Sequence, residues 1–404
     1  MTTSVLVSEP ACPGPRRHEE APAPTVSALL VEQRQFDTIP RESWDRLAAA
    51  NPWSTPFSEW PFQRAWWDAF GANAHEQTLV VTGTSSGDIV AIVPLMHRHE
   101  VEPTDVETHT TMRLGGELLT PVPATAKAIF FGASYHADYA TILAAPENLI
   151  AVAEAVAEHL ATAAQPGDQH PSPWDVVDLR RLRCGDPTAD ALANAFGRRE
   201  MSEGWTLNVE REDVCPVVTL EPGIDFEGYL GTLGKKNRHE IRRKLRRAEA
   251  VGDIHLTDST DPLADLDVFI DLHQRKWGDA GLFPPTPGGD ASRRFVRRLF
   301  EEHGPDGSIR LAFLTIGGRR IATGIHFRTS DGYLYYNAGV DPDARDLSPG
   351  VVMIAAYIQR AIDEGCRRLD FLRGNEPYKY EWGAVDEPVQ RILVRRDASR
   401  LGAD

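Results

Sequence analysis

Apolar and polar positions alternate most clearly near the C-terminal end of the chain. Tyr333–Val340 is rich in strand-forming residues, and Leu369–Arg373 alternates as a second strand. Between them, apolar residues recur at helical spacing. Ser348 is placed to cap this helix, with Pro349 at its first position. The pattern therefore predicts a strand–helix–strand unit with an anion-sized loop where the helix begins.

The order helices, hairpin, strand, helix, strand occurs twice along the chain. The first half has a predicted hairpin at Leu79–Thr82 and Ile89–Met96, and the second half has one at Leu311–Ile316 and Ile321–Arg328. The two halves share few residues, so the pattern rather than sequence identity indicates a duplication.

This repetition predicts three parts. Residues 1–25 are rich in Pro, Ala and Glu without periodicity, so we expect a disordered tail. Residues 26–221 are expected to form a first lobe and residues 222–404 a second. The predicted fold class is α/β (α+β), in which each lobe is a mixed β-sheet flanked by helices.

Composition excludes several classes of protein. A formal net charge of −16 over 404 residues argues against a general nucleic-acid binder, although it allows one basic patch. No apolar run approaches the roughly 20 residues that span a bilayer, and the N-terminus lacks an apolar signal segment, so a cytoplasmic protein is expected. The four cysteines form no C-x-x-C pair, so no metal site is expected. The oligomeric state stays open.

A basic segment stands out in this acidic chain. A helix is predicted over Tyr229–Ala250, and eight of its residues between Lys235 and Arg247 are Lys or Arg. Arg238 and Arg242 share one flank of that helix. Guanidinium groups match phosphate oxygens, so this flank is a candidate for binding CoA, a nucleotide sugar or tRNA. The alternative is a solvated helix face paired with acids elsewhere.

Three segments carry a family resemblance: YLGTLGKKNRHEIRRKLRRAEA at Tyr229–Ala250, LHQRKW ending at Trp277, and YYNAGVDPDARDLSPG with DFLRGNEPYKYEW within Tyr335–Trp382. With them the chain resembles the GNAT-fold acyltransferases, in the tandem-GNAT branch that includes cellulose-biosynthesis-type acetyltransferases and Fem-type aminoacyl transferases. The resemblance runs from about residue 35 to the end. It implies two GNAT-like lobes with partly splayed sheets and acyl transfer from a thioester or ester donor.

The resemblance places the donor in the second lobe. The run from Arg345 to Gly350 is similar to the GNAT pyrophosphate loop, with Ser348 where the first glycine is expected. The equivalent loop of the first lobe, Ala145–Asn148, is short and carries an acid. The resemblance thus implies acetyl-CoA or another acyl-CoA as co-substrate, without a metal. The expected donor-binding residues are Asn337, Ala338, Gly339, Val340, Arg345, Ser348, Gly350 and Val351.

Lys379 is the first candidate for a catalytic residue. It follows a predicted strand and stands among aromatic residues, where its ammonium group is expected to polarise an acyl carbonyl. In Fem-type enzymes a matching Tyr-Lys pair is thought to do this. The alternative is a surface lysine stacked on aromatic rings. Tyr336 and Tyr378 are candidate proton donors.

Two carboxylates are candidates for the general base. Asp370 lies on the strand before the Tyr-Lys turn and Glu376 lies within the turn, and either can act if burial raises its pKa. The alternative for Asp370 is an ion pair with Arg368 or Arg373. His326 is interpreted as a core histidine rather than as a base.

The acceptor is expected between the lobes. Trp277 is a candidate acceptor contact, although a core position is the leading interpretation for it. The full set of expected substrate-binding residues is Arg238, Arg242, Trp277, Tyr336, Arg373 and Trp382. The predicted function is transfer of an acyl group, expected to be acetyl, from acyl-CoA to an amine or hydroxyl of a small molecule or saccharide.

Two other functions fit the sequence. One is an aminoacyl-tRNA-dependent transferase of the Fem type, favoured by the basic helix and the Tyr-Lys turn. The second lobe lacks the long helical arm that Fem-type enzymes often carry, so tRNA is the less favoured partner. The other is a non-catalytic GNAT-like binding protein, whose loop with Ser348 and Pro349 has lost affinity for the donor.

Overall fold

The computed structural model describes residues 28–98, 119–122, 126–133, 136–162, 174–278, 281–304 and 307–396. The expected disordered tail, residues 1–25, lies outside them, so that prediction is not tested. No helix in these ranges is both long enough and apolar enough to cross a lipid bilayer.

The helices and strands follow the predicted order in both halves. The α-helices are α1 (Arg41–Ala50), α2 (Trp60–Phe70), α3 (Leu149–Thr162), α4 (Pro187–Gly197), α5 (Glu200–Glu203), α6 (Phe226–Thr232), α7 (Lys235–Glu249), α8 (Pro262–Trp277), α9 (Pro287–His303), α10 (Pro349–Asp363) and α11 (Pro377–Glu381). Short 3-10 helices lie at Phe36–Thr38, Pro56–Ser58, Gly71–Asn73, Pro146–Asn148 and Pro342–Leu347.

The strands are β1 (Leu29–Gln33), β2 (His75–Glu76), β3 (Leu79–Gly83), β4 (Ile89–Val93), β5 (Leu95–Arg98), β6 (Ala128–Phe131), β7 (Leu143–Ala144), β8 (Val176–Arg183), β9 (Trp205–Thr219), β10 (Ile254–Asp258), β11 (Ile309–Ile316), β12 (Arg319–Arg328), β13 (Gly332–Val340), β14 (Arg368–Asp370) and β15 (Val385–Arg396). Both predicted hairpins are present, as β3–β4 and β11–β12, which pair antiparallel.

One predicted helix is in fact two. The expected helix Tyr229–Ala250 is broken at Leu233 and Gly234, which both adopt extended backbone angles between α6 and α7. Arg238 stabilises the break, because its Nη1 donates to the carbonyl oxygen of Gly231 at 2.9 Å near the end of α6. The helical periodicity of the sequence continues through the break and hides it.

Two other predictions differ from the structure. The sequence pattern predicts separate strands at Trp205–Glu210 and Val217–Leu220, but nearly all of both segments belongs to the single long strand β9, which pairs with β15 along most of its length. The pattern also predicts a strand at Tyr139–Leu143, but this segment is mostly irregular. Ala140 makes only an isolated bridge to Leu182.

The described strands form two sheets, and the larger one runs through both halves of the chain. Its order is β10-β11-β12-β13-β14-β9-β15-β8-β6-β5-β2, and the smaller sheet has the order β1-β3-β4-β7. The expected pair of lobes therefore shares one continuous mixed sheet. The last strand, β15, lies between β9 and β8 and pairs antiparallel with both. The proposed boundary between residues 221 and 222 stays a prediction.

An aromatic core joins the two halves. Helix α2 carries Phe62, Ala65, Trp66 and Ala69 on one face at helical spacing, and this apolar stripe is buried. The ring of Phe62 meets Phe295 of α9 edge to face at 5.4 Å between centroids, and Phe57 meets Phe327 of β12 at 5.5 Å. Offset and edge-to-face aromatic pairs of this kind stabilise cores beyond the area that they bury. The two halves are thus held together by packed side chains as well as by the sheet.

A buried ion network crosses the strands β8, β9 and β15. Asp178 is fully buried, and it accepts hydrogen bonds from Arg391 Nε and Nη2 at 2.7 and 2.8 Å and from Arg180. Arg391 also reaches Glu210 at 3.1 Å. Burial by itself would raise the pKa of Asp178, but the two guanidinium groups outweigh it and lower that pKa. The carboxylate is therefore charged, and β15 is tied to the first half through Arg391.

We expect Arg391→Ala to lower the free energy of unfolding by about 3–5 kcal/mol, because it leaves a buried carboxylate without one of its partners. Urea denaturation measures this change. The control is Arg243→Ala, which removes an exposed ion pair with Glu240 and should leave the free energy of unfolding almost unchanged. Equal effects of the two substitutions would contradict the role given to Arg391.

Candidate functional site

The strands β13 and β14 pair only where they begin. Gly332 to Leu334 of β13 lie opposite Arg368 to Asp370 of β14, in parallel register. Beyond Asp370 the chain turns away, because Leu372 adopts a left-handed conformation with φ 58°. From Tyr335 onward, the edge of β13 that faces β14 has no strand partner among the described residues. The two strands thus open like a V toward the end of β13.

The register on the other edge of β13 shows which backbone groups face this opening. The N–H of Asp341 donates to the carbonyl of Ile321 at 2.8 Å, so this pair is a hydrogen-bonded one. Such pairs alternate in an antiparallel ladder. Asn337 and Gly339 therefore bond to β12, whereas the N–H groups of Ala338 and Val340 point to the open edge.

A β-bulge at Tyr336 redirects its side chain. Ile325 faces Asn337 and the next residue, His326, faces Tyr335, which leaves Tyr336 as the extra residue. Its hydroxyl donates to the backbone carbonyl of His136 at 3.0 Å, in the first half of the chain. The predicted substrate contact of Tyr336 thus lies at the junction of the two halves.

The loop before α10 differs from its prediction in one respect. Ser348 has φ 54° and ψ 55° and makes no side-chain hydrogen bond to the helix, so the predicted cap is wrong. An N-cap side chain reaches the helix from an extended backbone, not from a left-handed one. Instead, the Ser348 carbonyl accepts the N–H groups of Val351 and Val352 at 3.0 and 3.1 Å. The N–H of Gly350 has no acceptor among the described residues.

Charged residues fix this loop from three sides. Asp341 is buried and accepts from Arg275 of α8 at 2.9 Å and from Arg319 of β12. Burial would raise the pKa of Asp341, but its hydrogen bond to the Asp343 N–H and the two arginines outweigh it and lower that pKa. Arg247 of α7 donates to the Asp346 carbonyl at 2.8 Å.

One cation of the loop, Arg345, does not help to fix it. Arg345 is exposed and makes no ion pair or side-chain hydrogen bond with the described residues. Its guanidinium group lies in the loop that leads to the first turn of α10, where the N–H of Gly350 is also without an acceptor. The N-terminus of a helix favours anions, so both groups are available to a phosphate.

Lys379 is buried, with an exposed fraction of 2 %. Its Nζ donates to the carbonyl oxygens of Leu372, Arg373 and Gly374 at 3.1, 3.0 and 2.8 Å, and it pairs with Glu376 at 2.8 Å. The alternative of a surface lysine is therefore wrong. In this arrangement, the ammonium group holds the turn after β14 and has no hydrogen left for a substrate carbonyl.

Asp370 has no exposed surface and three hydrogen-bond donors. They are the Tyr139 hydroxyl at 2.8 Å, Arg368 at 3.1 Å and the N–H of Leu372 at 2.8 Å. The ion pair with Arg368 is thus confirmed. Burial raises the pKa of Asp370, although Arg368 opposes this. Arg373 pairs instead with Asp138 at 3.1 Å.

The exposed residues of the site lie on two facing elements. At the end of α8, Trp277 is 45 % exposed, and Lys276 Nζ lies 4.4 Å from its ring centroid. The core position considered for Trp277 is therefore wrong. Tyr378 is 41 % exposed at the start of α11. Lys276 is exposed, but neighbouring atoms partly desolvate its ammonium group and lower its pKa; the Glu376 carboxylate offsets part of this, so the two elements lie close together.

Three residues that were expected to bind substrate are buried or bonded to other residues of the protein. Trp382 is 1 % exposed in the core of the second half, so no substrate can reach its ring in this structure. Arg238 donates to the carbonyl of Gly231, and Arg242 pairs with Glu227 at 2.5 Å. The contacts of these two arginines therefore favour a solvated helix face that pairs with neighbouring residues over a phosphate-binding flank.

The structure adds a histidine that the sequence analysis did not name. His273 of α8 is 3 % exposed and packs against β13, because Gly339 lacks a side chain; a Cβ there would lie 2.5 Å from the backbone nitrogen of His273. Burial, with a smaller effect of Lys276, lowers its pKa to about 4, so the imidazole is neutral at pH 7. His273 follows Leu266 and Phe269 at helical spacing, and this signal could have placed it on the inner face.

Comparisons with known proteins agree with this geometry. Residues 235–380 match the family model described as an acetyltransferase (GNAT) domain. The fold is similar to a crystal structure of FemX, with a TM-score of 0.53 and 12% identity over 89% of this chain and 96% of that one. It is also similar to a conserved protein of unknown function from Bacteroides thetaiotaomicron, with a TM-score of 0.51 and 13% identity over 89% of this chain and 98% of that one.

No curated protein sequence matches the chain closely enough to count as a relative. At identities this low, the structural similarities establish the fold alone. They confirm the expected tandem GNAT fold, with its open mixed sheet and flanking helices.

We expect Lys379→Met to lower the free energy of unfolding by about 3 kcal/mol, because it leaves several buried carbonyl groups without a donor. Urea denaturation measures the change, with Lys276→Met as the matched control, which should stay within about 0.5 kcal/mol of wild type. A Lys379→Met protein of unchanged stability would contradict the structural role. If the Lys379→Met protein had unchanged stability but no turnover, the prediction that Lys379 polarises the acyl carbonyl would be favoured.

Proposed function

Because the chain carries a GNAT-family acetyltransferase domain at residues 235–380 within a tandem GNAT fold, we propose that it is an acyltransferase that uses acyl-CoA. The acyl group, proposed to be acetyl, is transferred to an amine or hydroxyl of a small molecule or saccharide. The acceptor binds at the junction of the two halves. Acyl-CoA is a cytoplasmic metabolite, and we propose that compartment for the protein.

The open edge of β13 is the observation that carries this proposal. The N–H groups of Ala338 and Val340 point away from β12 into the gap left by β14. An extended donor arm with amide groups can add to such an edge as a strand does. A thioester carbonyl that accepts from the Ala338 N–H would have its developing negative charge stabilised during transfer.

The phosphate end of the donor is assigned to the loop before α10. Within the described ranges, Arg345 and the Gly350 N–H have no partner there, and the helix dipole adds to their attraction for an anion. The basic helix α7 lies beside this loop, tied to it by Arg247. Several cations of α7 make no ion pair with described residues and add to the positive potential: Lys235, Lys236, Lys244 and Arg246.

The chemical step needs a base and an acid near the thioester. The acceptor nitrogen or oxygen attacks the carbonyl carbon and loses a proton to the base. The C–S bond breaks, and the CoA thiolate takes a proton from the acid and leaves as the thiol. Glu376 is the proposed base, since it pairs with the buried Lys379 and lies near Lys276 of α8. Tyr378, at the exposed end of α11, is the proposed proton donor to the thiolate. Asp370 has three donors already, so its proposed role is to position the strand.

The acceptor is assigned to the space between α8 and α11. Trp277 and Tyr378 expose aromatic faces there, which suit a sugar ring or another flat polar molecule. Arg373 and Tyr336 lie deeper, each held by a residue of the first half. The sequence of the first half has no loop comparable to Arg345–Gly350, and we propose that this half closes the acceptor site.

A second candidate function is an aminoacyl-tRNA-dependent transferase of the Fem type. The unpaired cations of α7 favour it, since a row of Lys and Arg binds phosphate backbones. The similarity to FemX concerns the fold alone. Binding of charged tRNA that weakens steeply with salt, in the absence of acyl-CoA binding, would favour this function.

We expect acetyl-CoA to raise the melting temperature of the protein, by an amount set by its concentration relative to Kd. Arg345→Ala should weaken binding roughly 10-fold, because it removes a charge-assisted hydrogen bond to a phosphate. Isothermal titration calorimetry measures Kd. The control is Arg243→Ala, whose side chain pairs with Glu240 on the exposed face of α7 and should leave Kd unchanged.

Two outcomes would contradict the proposal. Absence of any thermal shift at millimolar acetyl-CoA would favour tRNA or a non-catalytic protein. Equal Kd values for wild type and Arg345→Ala would remove the loop from the donor site.

A further inference from the structure

The N–H group best placed to hold the donor carbonyl is already occupied. Ala338 directs its N–H to the open edge of β13, where it donates to the Oδ1 atom of the preceding residue, Asn337, at 3.2 Å. A bound thioester carbonyl must compete with this side chain for the same hydrogen. Displacement of Oδ1 would turn the Asn337 amide toward a different partner.

A suitable partner lies directly across from the strand. The imidazole of His273 is buried among the rings of Phe283, Phe269 and Trp277, at 5.0, 5.9 and 6.3 Å between centroids. Its Nδ1 is buried and makes no hydrogen bond with the part of the chain that the structure describes. A neutral imidazole has one nitrogen that accepts, and an unpaired acceptor in such a place is costly.

The side chain of Asn337 also affects the protonation of His273. Burial, and after it Lys276, lower the pKa of His273 to about 4, and the side chains of Gln274 and Asn337 offset only part of this, so the imidazole is neutral at pH 7. Among the described residues, the polar groups that act on this imidazole are those of Lys276 and Gln274 of the same helix and of Asn337. The Asn337 side chain therefore lies within reach of this imidazole, and with the ring proton on Nε2 its Nδ2 amide can donate to Nδ1.

We propose that Asn337 and His273 exchange hydrogen bonds when an acyl donor binds. The thioester carbonyl takes the Ala338 N–H, and the displaced Asn337 amide donates from Nδ2 to Nδ1 of His273. His273 is thus a positioning residue, which acts on the donor through Asn337. This inference rests on the proposed function and adds a selectivity to it.

The selectivity concerns donor against product. Acetyl-CoA carries the carbonyl that drives the exchange, whereas CoA does not. Without His273, the displaced amide would be left unpaired in a half-buried position, and only the carbonyl-bearing ligand would suffer this cost. The exchange therefore favours acetyl-CoA over CoA and helps the product to leave.

A double-mutant cycle tests the exchange. Calorimetry gives Kd for acetyl-CoA and for CoA with wild type, Asn337→Ala, His273→Phe and the double variant. Phenylalanine keeps an aromatic ring in the cage without an acceptor. We expect His273→Phe to weaken acetyl-CoA binding roughly 5- to 50-fold when Asn337 is present, because the amide then lacks a partner. It should have no effect in the Asn337→Ala background or on CoA.

Two further variants keep the test sharp. His273→Gln restores an acceptor oxygen and should recover most of the affinity for acetyl-CoA. His303→Phe is the matched control, since burial likewise lowers the pKa of His303 to about 4, but this residue lies at the end of α9, away from the open edge. It should change neither Kd.

The outcomes separate this inference from the function on which it rests. If His273→Phe weakens acetyl-CoA equally with and without Asn337, or weakens CoA as much, the exchange is overturned and His273 is a packing residue. In that case wild-type binding still supports the acyltransferase. If wild type binds neither ligand, both proposals fall.

Discussion

The three-residue pairing between β13 and β14 is the constraint on which the candidate site depends. β14 ends at Asp370, whose carboxylate is held by Tyr139, Arg368 and the Leu372 N–H. The chain then reverses at Leu372, which has a left-handed conformation, and Lys379 Nζ donates hydrogen bonds to three carbonyl oxygens of the turn. These bonds satisfy the backbone groups that a longer β14 would have paired with β13. From Tyr335 onward, the edge of β13 that faces β14 consequently has no strand partner in the part of the chain that the structure describes, and N–H groups point to it.

The two halves of the chain build this opening together. Tyr139 and Asp138 of the first half hold Asp370 and Arg373 of the second, and the Tyr336 hydroxyl reaches back to the first half. The last strand, β15, inserts beside β8 and extends one sheet through the molecule. A shared sheet with an aromatic core between α2 and α9 resists relative movement. The first half thus contributes the support of the site, and the second half contributes its backbone donors.

The sequence predicted the parts of the site that depend on local pattern. β13 and α10 have strong periodicity and clear end signals, and both were found close to their predicted bounds. Burial within the aromatic-rich turn was not predictable, since Trp382 and Trp277 look alike in sequence but only Trp277 is exposed. The contact of His273 with Asn337 was also hidden, because it arises from the close packing of α8 on β13. Such pairs are set by tertiary structure and leave no periodic signal in the chain.

Hydrogen exchange at the open edge tests the central claim most directly. Exchange of the Ala338 and Val340 amides is to be measured with and without acetyl-CoA. The Asn337 and Gly339 amides, which face β12, serve as internal references. The account predicts that acetyl-CoA slows exchange at Ala338 and Val340 and leaves the two references unchanged. Acetyl-CoA that stabilises the protein without protecting these two amides would contradict it, since the donor would then bind elsewhere.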